Sequence, residues 1–428
     1  MSFSVEVFQN ENLYESATKV HAIVRVTSSG GRSLATAAEK IVVLVVDTSG
    51  SMEMPNTKIR YARQSAAAAL KLLPDGTRFA LVAGTDKARC VYPRSGEGLA
   101  SADERTRAEA AELTARLVAD GGTAISTWID LVRELVEPYP RAIRVAYLLT
   151  DGVNQGESSE ALDASLHRAA NVFQCDTRGV GEDWSALELR KIASALLGEV
   201  DRIAEPHLME KDFRAFMDRA IGKTIADVRL RAWIPKDSKV AFFSQVAPTI
   251  DDLTDKGEPG PPQAWDYPTG AWAGHEVRDY HLCIDTPSCP VGEEKLAARL
   301  GLVVGDDVAA KGLVRAVWTD DVECSTRINR EVAHYTDQEE LSKCVDEGLD
   351  ALDRGDEGTA TVRLRRAVDL AQTGGRDDVL HGLLRLVDMD GPTVRLKAGA
   401  PPGAANAPLI DTLRTRPITR RPPEEDTP

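Results

Sequence analysis

The sequence predicts an α/β chain built on a doubly wound, mostly parallel sheet, accompanied by an antiparallel β-sandwich and a small C-terminal helical unit. Three observations predict it. From Lys40 to about Gly222, apolar runs such as IVVLVVD and AIRVAYLLTD alternate with amphipathic helical stretches, as strands covered by helices on both faces require. From 223 to 336 turn residues multiply and short alternating segments take over, the pattern of a sandwich. From Asp337 onward apolar residues recur at helical spacing.

Taken in order, residues 1–39 carry SVEVF and VHAIVRV, weakly alternating around a polar turn. Having no sheet of their own, these strands are expected to join the sandwich across an inserted α/β domain, 40–222. In that domain IVVLVVD is a strand, Thr57 to Leu73 an Ala-rich helix, and RFALVAGT and ARCVYP strands. Helices over Asp103 to Ala119 and Ala124 to Val136 precede the strand AIRVAYLLTD and a helix from Ser158 to Asn171. VFQCDTRGVG and GEVDRIA flank a helix from Trp184 to Leu197, and Lys211 to Ile221 closes the domain. The sandwich, 223–336, draws on VRLRAWIP, KVAFFSQV, EVRDYHLCID, AARLGLVVG, GLVRAVWTD and TRINREVAHY. The helical unit, 337–396, comprises LSKCVDEGLDAL, TATVRLRRAVDLA and DVLHGLLRLVDM between the turns RGDEG and TGGRDD. The tail, 397–428, is rich in Pro, Ala, Arg and Glu and is expected to be disordered.

Composition bounds the function. A chain of 428 residues exceeds one core at roughly 100–200 residues per domain, and 43% hydrophobic with 28% charged residues is globular. A net charge of −15 argues against a nucleic-acid partner, because phosphate affinity comes from Lys and Arg. Cys90, Cys175, Cys283, Cys289, Cys324 and Cys344 form no C-x-x-C pair, so buried free thiols are the reading; Cys283 and Cys289 alone are near enough to suggest a bridge. The start, MSFSVEVFQNENLYES, lacks the basic and apolar regions of a secretory signal. The longest apolar run, Ile41 to Val46, falls far short of the ~20 residues that span a bilayer. A soluble, cytoplasmic chain is expected.

The residues that carry chemistry stand at strand ends. The first α/β strand runs into Asp47-Thr48-Ser49-Gly50-Ser51, a loop brings Thr123 after Gly121-Gly122, and a later strand ends in Thr150-Asp151-Gly152. Open parallel sheets bind ligands at the carboxyl ends of their strands, where such loops converge. Hydroxyl and carboxylate oxygens without His or Cys suit a hard divalent cation, Mg²⁺, Mn²⁺ or Ca²⁺. These positions resemble the metal-ion-dependent adhesion site of von Willebrand factor A domains, where Asp-x-Ser-x-Ser is joined by a distant Thr and a distant Asp. The resemblance covers roughly Lys40 to Gly222 and implies the Rossmann-like fold of that family there. It implies that Ser49, Ser51 and Thr123 ligate the ion directly and that Asp47 and Asp151 contact it directly or through water. The ion would be Mg²⁺, with Mn²⁺ or Ca²⁺ as alternatives, and the partner a protein offering an Asp or Glu carboxylate to it.

Each segment alone also has an ordinary reading: DTSGS as a turn with a Ser cap and TDG as a strand-ending turn. Asp86 and Asp120 lie near the same edge, match no family position and read as surface carboxylates. His275 and His281 in HEVRDYH would share one strand face as packing or surface residues. The enzyme reading, a phosphohydrolase with Asp47 as nucleophile, needs a second Asp where Ser49 stands, so no catalysis is expected. By resemblance to bacterial intracellular proteins of the family, the role is an adaptor or scaffold. Its partner would be a Ser/Thr kinase or forkhead-associated protein, with a MoxR-type AAA⁺ ATPase as the alternative. Thr412, Thr415 and Thr419, beside basic residues in DTLRTRPITRR, read as low-complexity tail first and kinase substrate second.

Overall fold

The computed structural model describes residues 2–30, 38–390, 393–397 and 403–415. The chain begins with strands β1 (Ser2–Gln9), β2 (Asn12–Tyr14) and β3 (Lys19–Ser29). The α/β region follows: β4 (Lys40–Asp47), α1 (Thr57–Lys71), β5 (Arg78–Gly84), β6 (Arg89–Tyr92), β7 (Ala100–Ser101), α2 (Glu104–Thr114), α3 (Ile125–Val136) and β8 (Ile143–Thr150). It continues with α4 (Ser159–Ala169), β9 (Gln174–Val180), α5 (Ala186–Ala195), β10 (Val200–Ile203) and α6 (Met209–Gly222).

The sheet runs β10-β9-β8-β4-β5-β6. Its first five strands are parallel, and β6 and β7 pair antiparallel with β5 at the edge. The apolar run of β4 explains the layering. Ile41, Val43 and Val45 pack in one cluster with Trp128 of α3, Leu162 of α4 and Leu189 of α5. Val42, Leu44 and Val46 point the other way, into a cluster with Ile59 of α1, Ala110 of α2 and Phe213 of α6. A strand without a polar face is stable only when both faces are covered.

The next strands are β11 (Lys223–Ile225), β12 (Val228–Trp233), β13 (Lys239–Ala247), β14 (Asp251–Asp252), β15 (Glu258–Pro259) and β16 (Ala264–Pro268). After them come β17 (Trp272–Ala273), β18 (Val277–Asp285), β19 (Glu294–Val304) and β20 (Asp307–Thr319). With β1, β2 and β3 most of them build two sheets, β1-β3-β18-β13-β14 and β15-β16-β12-β19-β20-β2, while β11 and β17 pair with each other. Thus β3 pairs antiparallel with β18, and β2 pairs parallel with β20, on the far side of the α/β region in sequence. The sheets share one core, in which Val24, Tyr280 and Leu282 meet Leu230, Leu300 and Trp318. His275 precedes β18, at a φ of 62°. It therefore does not share a strand face with the buried His281.

The remaining elements are α7 (Val322–Ser325), α8 (Arg330–Asp353), α9 (Glu357–Thr373), α10 (Asp377–Leu383), the hairpin β21 (Val387–Asp390) and β22 (Thr393–Leu396), and α11 (Asn406–Leu413). Three expectations are corrected here. DVLHGLLRLVDM is helical only as far as Leu383, and from Val387 it pairs antiparallel with β22 as a strand. TRINREVAHY is no strand: the Asn329 side chain accepts from the N–H groups of Glu331 and Val332 and starts α8, and a cap of this kind outweighs weak alternation. The tail is not disordered throughout: Leu409, Ile410 and Leu413 of α11 are buried in a cluster shared with Leu341, Val345 and Leu189. An average over a Pro- and Arg-rich stretch hides this short apolar segment. Residues 416–428 lie outside the described residues. The cysteines are all free, Cys283 and Cys289 included. Among the described residues no helix is long and apolar enough to cross a membrane.

Candidate metal centre

The parallel register sets Asp47, the last residue of β4, opposite Gly84, and β8 ends one residue before Asp151. Asp47 is fully buried. Its Oδ1 accepts the Ser49 N–H at 2.7 Å and its Oδ2 the Thr150 hydroxyl at 2.5 Å. Burial pushes its carboxyl up to about 6, against those hydrogen bonds, and the Asp151 charge adds to the rise. The chain then turns through a short 3₁₀ helix, Gly50–Glu53. This brings Ser49 Oγ and Ser51 Oγ within 2.9 Å of each other, and the Ser51 hydroxyl donates to Asp151 Oδ1 at 2.7 Å.

Thr123 joins them from a third loop. A Cβ built on Gly152 would lie 3.3 Å from Ser51 Oγ and 3.6 Å from Thr123 Oγ1, so both hydroxyls face that glycine and a side chain there would fill the space between them. Backbone bonds stitch the Thr123 loop in place: Gly50 N–H to Gly121 O at 2.9 Å, Asp120 N–H to Thr48 O at 2.8 Å, and Gly156 N–H to Thr123 O at 2.8 Å. Gly121 has a φ of 86°, a conformation that favours glycine. Asp47, Ser49, Thr123 and Asp151 are buried, while Ser51 is exposed, so the group opens to solvent on one side.

Sequence reading missed four contributors. Thr150 holds Asp47. Asp86, read as a surface carboxylate, accepts the Gly122 N–H at 2.9 Å, and Asp120 accepts the Gly121 N–H at 2.8 Å. Lys58, in the first turn of α1, donates to Asp151 Oδ2 at 2.6 Å. A cation in a first helical turn opposes the helix dipole, and that is the one signal the sequence carries for it.

The donor set is hydroxyl and carboxylate oxygen throughout, which fits a hard divalent ion. Among the described residues no three His, Cys, Asp or Glu side chains gather as a metal cage; here hydroxyls complete the set.

Residues 40–201 match the model of the von Willebrand factor type A domain. The solved von Willebrand factor type A protein from Catenulispora acidiphila is 42% identical over 97% of both chains, with a TM-score of 0.90. This chain belongs to the von Willebrand factor type A family. The ArnB paralog VWA2 from Sulfolobus acidocaldarius aligns over 97% of this chain and 98% of its own at 15% identity, TM-score 0.59. The human COPII-coat protein Sec24c aligns over 89% of this chain and 57% of its own at 9% identity, TM-score 0.53. At such identities these two likenesses are of fold alone. No curated protein matches the sequence. Von Willebrand factor A domains are modules that are often metal-dependent and mediate protein interactions.

Proposed function

We propose that this chain is an intracellular adaptor or scaffold. In this reading its von Willebrand factor A domain binds Mg²⁺ through Asp47, Ser49, Ser51, Thr123 and Asp151 and holds a carboxylate of a partner protein. The observation that carries the reading is the convergence of the Ser51 and Thr123 hydroxyls on Gly152, beside Ser49 and two buried carboxylates, at a strand edge open through Ser51. Ser49, Ser51 and Thr123 offer neutral oxygens; Asp151 orients one of them by accepting the Ser51 hydroxyl, and Asp47 holds the loop by accepting the Ser49 N–H. Three hydroxyls would leave room around a bound Mg²⁺ for water and for an incoming anion. The bound ion supplies Lewis acidity toward that anion, and the buried carboxylates hold the cup in shape.

The adaptor reading is non-enzymatic, since Ser49 stands where a phosphohydrolase of the type considered needs its second Asp. The tail threonines lend it no support. Thr412 is buried with its hydroxyl donating to Leu409 O at 2.9 Å; Thr415 donates to Pro248 O at 3.1 Å; Thr419 lies outside the described residues.

The test is calorimetric titration of Mg²⁺ and Mn²⁺ into wild type and into Asp47→Ala plus Ser49→Ala, followed by partner capture in Mg²⁺ or EDTA. Saturable binding by the wild type, lost in the folded double variant together with Mg²⁺-dependent capture, is the expected result. Equal capture by both forms in EDTA would move the interface elsewhere.

A further inference from the structure

Lys58 has no place among the five positions that define the proposed metal site, yet it is bound into them. Its side chain is 8% exposed and its ammonium lies 2.6 Å from Asp151 Oδ2; the more distant Asp183 carboxylate, 3.9 Å away, is 72% exposed. A buried ammonium is stable only when paired, and in the first turn of α1 the helix field works against it. The fold nevertheless keeps it there. Asp151 is divided as a result: Oδ1 takes the Ser51 hydroxyl and Oδ2 takes Lys58.

We propose that Lys58 sets the charge of the site and thereby its preference for an anionic partner. This inference rests on the metal-site reading above. Two buried carboxylates, Asp47 and Asp151, and one buried ammonium leave one net negative charge in the cup. A divalent ion held there retains one positive charge in excess, and a carboxylate from outside neutralises it. Without Lys58 the two aspartates would balance the ion, which would bind more tightly and attract an external anion less. The hydroxyl ligands are unaltered in this scheme, because Lys58 uses the Asp151 oxygen that does not face Ser51. Lys58 is thus a specificity-determining residue that acts through Asp151.

The signature is a pair of opposite shifts, which loss of a purely structural ion pair does not produce. Mn²⁺ is titrated into wild type, Lys58→Met and Lys58→Arg, and acetate is then titrated into each Mn²⁺-loaded protein, with water-proton relaxation as the readout. Lys58→Met is expected to bind Mn²⁺ roughly tenfold more tightly and acetate roughly tenfold more weakly, as removal of a unit charge a few ångströms away implies. Lys58→Arg is expected to stay near wild type in both. Should the Met variant not fold, Lys58→Gln, which keeps a donor for Asp151, is read the same way. Shifts of the same sign, or none, in a wild type that does bind Mn²⁺ would overturn this inference alone. A wild type that takes up no Mn²⁺ overturns the metal-site reading and this inference with it.

Discussion

The carboxylate of Asp86 accepts the backbone N–H of Gly122 at 2.9 Å, and through that bond an exposed residue after β5 holds the loop that presents Thr123. Glycine makes the approach possible, since a Cβ at position 122 would lie 2.3 Å from Asp86 Oδ1. Groups that orient ligands from outside typically change metal affinity about tenfold or more when removed. Asp86→Ala should therefore weaken Mn²⁺ binding by about that factor. Because Asp86 is exposed, the unfolding free energy should move by less than ~0.5 kcal/mol. Asp86→Asn, which keeps an acceptor, should recover most of the affinity. An unchanged titration for the Ala variant would show that the loop is held by its backbone bonds alone.

Gly84 closes β5 opposite Asp47, and the fully buried Trp128 occupies the space a side chain would need. A Cβ there would lie 2.3 Å from Trp128 Cε2, and the indole cannot withdraw without losing its bond from Nε1 to Thr85 O at 2.7 Å. Gly84→Ala should destabilise the domain by about 2 kcal/mol, within the usual range for overpacking. Urea unfolding checks this: the midpoint should fall with an unchanged slope. A midpoint within error of wild type would mean that the indole relocates freely.

The α/β region is legible in sequence because its strands have only one environment available to them. IVVLVVD offers no polar face, so helices must cover both sides, and a strand so placed carries Asp47, Ser49 and Ser51 to the carboxyl edge. The candidate site's five residues could be named from the family motif alone, Asp47, Ser49 and Ser51 after β4, Asp151 after β8 and Thr123 in the loop between α2 and α3. Lys58 and Asp86 were not legible, because their partners, Asp151 and Gly122, lie far along the chain and the contacts depend on how α1 and the β5 turn are seated. The error at TRINREVAHY has a different origin: weak alternation over a short window competes poorly with one Asn cap. In the tail, averaging composition over Pro, Ala and Arg concealed NAPLIDTL, whose apolar side chains find a ready cluster between α5 and α8.

His21 gives the stability of the sandwich a defined pH dependence. Burial, then the neighbouring His281 and Lys19, lower its pKa from 6.5 to about 4; its Nδ1 lies 3.0 Å from His281 Nε2, its Nε2 3.7 Å from Cys283 Sγ, and the Phe242 ring packs beside it. The unfolded chain takes up this proton near pH 6.5 and the folded chain only near pH 4. Between those values the unfolded state binds more protons, so stability falls as the pH falls, and the loss levels off below 4. Allowing for the part of the ring open to solvent, the contribution is about 2 kcal/mol. Denaturant unfolding at several pH values should show this limb in the wild type and a flatter one in His21→Gln. Parallel curves would assign the dependence to other groups.

Asn406 tests whether α11 belongs to the folded body. Its Nδ2 donates to Glu182 O at 3.2 Å and Trp184 O at 2.7 Å, and its Oδ1 accepts the Ala186 N–H at 3.1 Å. One side chain thus serves both the β9–α5 loop and the first turn of α5. Farther along the same helix, Asp411 pairs with Arg202 at 3.1 Å and its carbonyl accepts from Arg376 at 2.6 Å, while Leu409, Ile410 and Leu413 bury the apolar side. Asn406→Ala removes the polar anchor and leaves a buried Ala186 N–H without its partner, at a cost of about 2 kcal/mol. That cost exceeds what a helix this short can absorb by itself, so release should be local and should precede global unfolding. Hydrogen exchange should quicken at Ala186 and across Leu409–Leu413, and limited proteolysis should cut near position 405 sooner than in the wild type, while the strands β4 and β8 stay protected. Uniform acceleration across β4 and β8 as well would instead make α11 part of one cooperative unit with the parallel sheet.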